Sequence, residues 1–154
     1  MALVEHRPGV LQRVASLFSR RGFNIDSITV GATDDPKVAR MTIITIGDDK
    51  ILEQVTKQMN KLVDVIKIKD LDRENSVCRE MCLVKVQTPD ETRRSEMIQY
   101  VEVFRGKIVD VSKGTTTAEL TGDSDKVNAF INLMRGIGIK EISRTGITAM
   151  QRGS

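Results

Sequence analysis

The stretch that decides the fold lies at the start of the chain, where residues 2–22 read ALVEHRPGVLQRVASLFSRRG. A short apolar strand gives way to Pro8 and Gly9, which interrupt a strand and permit a tight turn. The apolar residues that follow recur on one stripe at 3.6 residues per turn, as in an amphipathic helix: Val10, Leu11, Val14, Leu17 and Phe18. Gly22 is suited to cap the end of this helix in a left-handed conformation. The stretch therefore predicts a strand, a turn and a helix.

The rest of the first half predicts two strands, a helix and a strand. Phe23 and Ile25 share one parity and Ile28 and Val30 the other, which indicates a bulge near Asp26-Ser27. A β-branched run from Val38 to Ile46 predicts the next strand, and Gly47-Asp48-Asp49 offers a helix N-cap. The last two elements predicted in this half are a helix and a strand. The helix is indicated by an apolar stripe, and the strand runs from Val63 to Ile68: Ile51, Leu52, Val55, Met59 and Leu62 form the stripe. The predicted order is β-α-β-β-α-β.

The same order then begins again after a charged stretch. Residues 71–77 are predicted to be a linker between a first module (1–70) and a second (78–154). Thr88-Pro89-Asp90-Glu91 is interpreted as a capping box with proline at the first helical position. The remaining predictions are a strand over 81–86, a helix ended by Gly106, a hairpin of 108–111 with 115–120, a helix capped by Asp123 and a strand over 139–143.

The predicted fold class is therefore α+β, with two tandem ferredoxin-like (βαββαβ) modules. In such a unit two crossovers place both helices on one face of a four-stranded antiparallel sheet. Modules of about 70 residues are near the size at which a single core becomes marginal. We therefore expect the bare sheet faces to be covered, by one another or by a second copy of the chain.

Composition argues against several classes of function. The 154 residues contain one histidine, which leaves almost no material for histidine-based metal sites or catalytic triads, so we predict no metal site and no catalytic residues. Cys78 and Cys82 lie in a predicted strand without further cysteine nearby and are interpreted as reduced thiols. A net charge of +3 is too weak to indicate nucleic acid. No apolar run approaches the ~18 residues that cross a bilayer, and no signal peptide opens the chain, so we expect a cytoplasmic protein without membrane contact.

Three stretches carry a resemblance to a known family: VEHRPGVL at 4–11, LFSRRGFNIDSITV at 17–30 and VFRGKIVDV at 103–111. Together they resemble the small regulatory subunit of acetolactate synthase, also called acetohydroxyacid synthase. Two further segments also fit: Arg79-Glu80-Met81 and Arg144-Thr145-Gly146-Ile147. The resemblance covers essentially the whole chain.

The resemblance implies a function as well as a fold. The first module would be an ACT domain, which binds amino acids, and the chain itself would bind no cofactor and catalyse no reaction. It would bind and activate a separate large catalytic subunit, expected to use thiamine diphosphate, magnesium (Mg) and FAD. It would also confer feedback inhibition by valine on that subunit, in branched-chain amino-acid biosynthesis.

The resemblance further implies that valine lies where two ACT domains meet in a homodimer. Gly9, Val10 and Leu11 would come from one protomer, and Asn24 and Ile25 from the partner. The residues make physical sense of this, because the first amides of a helix suit a carboxylate and an asparagine amide can both accept and donate.

His6 is the position at which the sequence departs from some relatives, which have asparagine there. An imidazole can still donate or accept a hydrogen bond to the ligand, and its protonation would make the site sensitive to pH. His6 is therefore included among the predicted ligand-binding residues.

Two other functions stay open at this point. Ferredoxin-like sheets also serve as RNA platforms, but such a platform needs aromatic residues on the central strands, and Val38 to Ile46 and Thr115 to Leu120 have none. A small stand-alone enzyme would need a convergent acid/base set. Carboxylates are plentiful but show no recognisable catalytic spacing, for example Asp34, Asp35 and Glu119.

Overall fold

The computed structural model describes residues 1–153 and divides into two compact units, one of Met1–Val77 with the segment from Ile147 onward, the other of Cys78–Gly146. The elements follow in chain order: β1 (Ala2–Glu5), α1 (Val10–Arg21), β2 (Ile25–Ala32), β3 (Val38–Thr45), α2 (Asp49–Met59), β4 (Val65–Ile68), β5 (Ser76–Gln87), α3 (Glu91–Val103), β6 (Lys107–Ser112), β7 (Thr115–Gly122), α4 (Ser124–Ile137), β8 (Ile139–Arg144) and β9 (Thr148–Gln151).

Each unit contains the predicted antiparallel sheet. The strand order is β2-β3-β1-β4 in the first unit and β6-β7-β5-β8 in the second, so the strand that opens each module is central and the second strand is an edge. The neighbouring strands in these two orders pair antiparallel, as split βαβ units require. The prediction of two tandem ferredoxin-like modules is confirmed. The predicted bulge is also present, because the β2–β3 register shifts between Ile25 and Ser27.

The core of the first unit packs α1 and α2 against one face of the sheet. Its fully buried members include Val4, Val14, Phe18, Met41 and Met59. Asp48 caps α2 as predicted, since its side chain accepts a hydrogen bond from the Ile51 amide at 3.0 Å. Leu11 does not belong to this core, although it fits the sequence periodicity: 48 % of its surface is exposed.

The last strand, β9, was not predicted, and it pairs with β5, which begins at Ser76 in the first unit. The segment from Ile147 onward groups with the first compact unit, whereas the predicted second module ran from residue 78 to 154. The Thr29 hydroxyl donates to the Ile147 carbonyl at 2.9 Å, and the Arg152 amide donates to the Asn75 carbonyl at 2.8 Å. Thr29 pairs with Thr42, on the sheet face opposite the core residue Met41. Part of the face that we expected to need covering is therefore contacted by the end of the chain itself.

The predicted linker also needs correction. β5 begins at Ser76, inside residues 71–77, and Ser76 is buried. β4 begins at Val65 rather than Val63, whose side chain is 88 % exposed. The starts of β4 and β5 were both predicted wrongly from the pattern of apolar and polar residues. Hydrogen-bond pairing with a neighbouring strand, which that pattern does not show, determines where a strand starts.

The second unit has its own core and corrects one cap. α3 and α4 pack on the sheet around Val84, Met97, Leu120 and Phe130. The predicted capping box at Thr88 is wrong by two residues: the N-cap is Asp90, which accepts from the Arg93 amide at 2.8 Å, and α3 starts at Glu91. The Thr88 hydroxyl is instead buried and bonded to the Thr116 hydroxyl at 2.8 Å. The hairpin of β6 and β7 is as predicted, with Ser112 opposite Thr115.

Candidate effector site at the start of the first helix

The turn between β1 and α1 leaves the start of the helix without a side-chain cap. Gly9 is the N-cap residue, in the left-handed conformation at φ 85° and ψ −14°, and it makes no side-chain hydrogen bond to the first turn. The first turn also contains no acidic residue. The Leu11 and Gln12 amides and the positive end of the helix dipole are therefore available to an anion, which is the arrangement that suits a carboxylate.

The structure places the first group of predicted site residues around this turn. The His6 ring nitrogen Nδ1 lies 3.2 Å from the Pro36 carbonyl oxygen, and the side chain is exposed. The Val10 side chain is buried in the core at 3 % exposure, so only its backbone faces the turn. Leu11 is the exposed apolar residue beside it.

The second group lies at the opposite end of the same sheet. Residue Glu5, which ends β1, pairs with Val38, whereas Ile25, which starts β2, pairs with Thr45. The seven steps along β3 between Val38 and Thr45 correspond to about 23 Å at about 3.3 Å per residue. Asn24, whose carbonyl accepts from the Thr45 hydroxyl at 2.7 Å, is at that far end. Within one chain the structure does not bring Asn24 and Gly9 together.

A buried carboxylate near Gly9 was missed by the sequence analysis. Asp64 is 3 % exposed and lies between α2 and β4. Its Oδ1 accepts from Arg7 Nε at 3.1 Å and Arg7 Nη2 at 2.5 Å, and its Oδ2 accepts from Arg13 Nε at 2.5 Å. The hydrogen bond from Arg13, with those from Arg7, holds the pKa of Asp64 below its usual range although burial opposes this. The only sequence signal was a lone acid between Val63 and Val65.

The corresponding turn of the second unit is arranged differently. Pro89 precedes α3 as Pro8 precedes α1, but the N-cap there is Asp90 and Glu91 stands in the first turn. The carboxylate of Asp90 already accepts the hydrogen bond of a first-turn amide. The start of α3 is therefore occupied by the chain's own negative charge and is unsuited to a second anion.

Other kinds of site are not found among residues 1–153. No group of three or more His, Cys, Asp or Glu side chains is placed to hold a metal ion. Across the same residues, none of the helices combines the length and apolar character that a bilayer crossing needs. Cys78 and Cys82 are both free thiols, and burial raises the pKa of the Cys82 thiol.

Comparison with known proteins agrees with the division into two modules. Residues 1–67 match a family model described as an AHAS small subunit-like ACT domain, and residues 79–153 match one described as the small subunit of acetolactate synthase. The chain belongs to the acetolactate synthase small-subunit family. The resemblance noted in the sequence, and the assignment of the first module as an ACT domain, are thereby confirmed.

Individual members of the acetolactate synthase small-subunit family are similar over nearly the whole chain. A probable acetolactate synthase small subunit from Methanothermobacter thermautotrophicus is 63 % identical over 153 residues, which is 99 % of this chain and 91 % of the relative. The small subunit from Mycolicibacterium smegmatis is 50 % identical, over 98 % of this chain and 89 % of the relative. The crystal structure of the Thermotoga maritima small subunit superposes with a TM-score of 0.91 at 51 % identity and covers 99 % of this chain and 95 % of that one.

Proposed function

We propose that this small subunit is the regulatory subunit of acetolactate synthase and binds valine between two copies of its ACT domain. The observation that carries the proposal is the placement of its two candidate groups. An uncapped helix start stands at one end of the sheet, and Asn24, with an amide suited to an amino acid, stands at the other. Only a second chain can bring them into one site.

The edge position of β2 supports such a dimer. Two copies of an edge strand that meet on a two-fold axis pair antiparallel, so the end of β2 at Ala32 meets the beginning of the partner's β2. Ala32 pairs with Ala39, beside the Val38–Glu5 pair that marks the Gly9 end of the sheet. The partner subunit's Asn24 then approaches the open start of α1. Val30 on this edge strand and Leu11 on α1 are exposed apolar residues at 46 % and 48 %, as an interface requires.

The proposed contacts give an affinity suited to a metabolite sensor. A carboxylate at a helix start contributes about 0.3 to 1 kcal/mol when exposed and about 2 when partly buried. Burial of a valine-sized side chain, against residues such as Leu11 and the partner's Ile25, adds about 1.5 to 3 kcal/mol. Two hydrogen bonds from the Asn24 amide to the charged ends of the ligand add about 1.5 kcal/mol each, so the total of about 5 to 8 kcal/mol corresponds to a dissociation constant between about 1 μM and 1 mM.

The regulated enzyme would be a separate large subunit. We infer that this subunit carries the catalytic site with thiamine diphosphate, magnesium and FAD, and that the small subunit activates it in the cytoplasm and makes it sensitive to valine. Valine that bridges two protomers would tighten the ACT dimer and change the surface presented to the catalytic chain. A coupling of about 1 to 3 kcal/mol is sufficient, and the catalytic chain must then alter valine affinity reciprocally.

The proposal is tested by calorimetric titration of the chain with valine, leucine and isoleucine, followed by reconstitution with the catalytic subunit. We expect one valine per chain. Leucine and isoleucine differ from valine by one methylene, which is worth only about 1 to 3 kcal/mol, so their binding should be weaker rather than absent. The variant Asn24→Ala should weaken valine binding while activation of the catalytic subunit is largely kept. Absence of binding by all three amino acids, or equal loss of binding and activation, would refute the proposal.

A further inference from the structure

We propose that Asp64 is a positioning residue for the effector site: it holds Arg7 and Arg13 on the two sides of Gly9 and so fixes the start of α1 in its open form. This inference deepens the proposed function and rests on it for the identity of the ligand. Asp64 itself lies on neither β1 nor α1, but in the turn before β4.

The geometry joins three parts of the chain through one carboxylate. Each Asp64 oxygen accepts from a different guanidinium, Oδ1 from Arg7 and Oδ2 from Arg13. The two arginines come from before and after the Gly9 turn. The Asp64 backbone is attached as well, because its carbonyl accepts from the Glu5 amide at 2.9 Å. Hydrogen bonds between ionised groups are about twice as strong as neutral ones, and a 5 % exposed carboxylate is shielded from solvent screening.

Arg13 carries this restraint directly to Gly9. A Cβ atom added at Gly9 would lie 2.9 Å from Arg13 Nη1, so the guanidinium is packed against the turn. The first helical hydrogen bond of α1 also links the two residues, since the Arg13 amide donates to the Gly9 carbonyl at 3.0 Å. Loss of Asp64 would leave Arg13, whose side chain is 47 % exposed, free to move into solvent. The turn would then lose the side chain that packs against it.

The hydrogen bonds of Asp64 with Arg7 and Arg13 lie beside the proposed binding turn, so their loss should affect ligand binding as well as stability. Removal of the acid would disturb the backbone that offers amides to the ligand, while the apolar core under α1 would stay intact through Val14, Leu17 and Phe18. A binding loop that is held in its productive geometry costs less ordering on ligand binding. Asp64 is therefore expected to affect the affinity for the ligand more than the amount of folded protein.

The experiment compares Asp64→Asn with Glu53→Gln in the full chain. Glu53 is a matched control, because it also pairs with a base, Lys57 at 2.5 Å, but is an exposed acid within α2. Two measurements are made: hydrogen exchange of the ligand-free protein at the amide of residue 13, which donates to the Gly9 carbonyl, and calorimetric titration with valine. Arg13→Gln is a second, milder variant that leaves Arg7 to pair with Asp64, in case Asp64→Asn does not fold.

For Asp64→Asn we expect exchange of the residue 13 amide to be at least about tenfold faster and the valine dissociation constant about tenfold higher. Arg13→Gln should shift both by about threefold, and Glu53→Gln should shift neither. The number of valine sites per chain should stay unchanged, whereas a merely structural role would lower the number of competent sites and leave the dissociation constant of the rest unaltered.

The inference is overturned if exchange of the residue 13 amide is the same in Asp64→Asn as in the wild type, or if the dissociation constant is unchanged. Failure of the proposed function is a different outcome. If the wild type binds none of the three amino acids, the assignment of the effector is wrong, and the exchange rates still decide whether Asp64 fixes the helix start.

Discussion

The two units of this small subunit share one strand order but differ where their first helix begins. In the first unit Gly9 leaves the start of α1 uncapped, whereas in the second unit Asp90 caps α3 with its own carboxylate and Glu91 adds another negative charge. The sheet order and the proline before the helix are the same in both. The fold therefore supplies the scaffold, and one residue at the N-cap determines whether the scaffold can accept an anion.

The buried ion pairs of the two units also differ in whether they lie at the start of the first helix. In the first unit Asp64 holds two arginines that flank the open helix start. In the second unit the buried Glu80 on β5 is held by Arg144 on β8, whose Nη1 also donates to Asn128 on α4 at 2.9 Å. The second network joins adjacent strands to a helix at some distance along the chain from Asp90. The buried ion pairs of the first unit therefore restrain a turn, whereas those of the second unit join two strands of its sheet to a helix.

The largest effect is expected from Gly9→Ala. Alanine is strained by about 1 to 2 kcal/mol at a φ of 85°, and its Cβ would meet Arg13 Nη1 at 2.9 Å. We expect the valine dissociation constant to rise about thirtyfold, which corresponds to about 2 kcal/mol. Titration calorimetry measures this directly.

Gly114→Ala is the matched control for that variant. Gly114 has a similar φ of 82° but lies in the hairpin turn of the second unit, with nothing within 4 Å of an added Cβ. It should lower stability without changing valine affinity. If both alanine variants weakened valine binding equally, the contrast between the modules would be lost.

A smaller effect, on stability rather than binding, is expected from Asp90→Ala. Loss of an N-cap aspartate costs about 1 kcal/mol, and chemical denaturation should show this for the second unit. The valine dissociation constant should not change. An altered dissociation constant, or a second valine per chain, would show that the start of α3 takes part in binding after all.

The smallest expected effect is the loss of the stability contribution of Asp64 at low pH. Because the pKa of Asp64 is lowered in the folded protein, its contribution to stability is full above its ordinary value of 3.8 and is lost as the pH falls below that value. The stability difference between wild type and Asp64→Asn should therefore be larger at pH 7 than at pH 3. Denaturation midpoints at the two pH values measure it, and a difference that does not shrink in acid would contradict the role of the charged form.

The sequence predicted most of what depends on local chemistry. The β2 bulge followed from a change of parity, and the open turn at Gly9 from a Pro-Gly pair before an apolar stripe. The cap of α3 was placed wrongly because Thr88 and Asp90 are both good cap residues. The choice between them depends on Thr116, which lies beside Thr88 because β7 pairs with β5.

Features that depend on contacts between distant residues were not predictable. β9 has only four residues, and the hydrogen bonds of the flanking residues Ile147 and Arg152 to Thr29 and Asn75 join positions far apart in the chain. Asp64 likewise fell inside the predicted strand Val63 to Ile68 without any sign of its role, since its arginine partners are more than fifty positions away in sequence. Asn24 and Gly9 lie at opposite ends of the sheet within one chain, so only the family resemblance, and no pattern within the chain, predicted that they share a site.

The central claim is that each effector site is shared between two chains, and a heterodimer tests it most directly. Gly9→Ala and Asn24→Ala chains with different affinity tags are produced together, and the mixed dimer is isolated and titrated with valine. In the mixed dimer the Asn24→Ala chain keeps its own Gly9 and faces the partner's intact Asn24. The account therefore predicts one site of wild-type affinity per about two chains, although neither homodimer has any. A mixed dimer that binds valine no better than either homodimer would contradict the account.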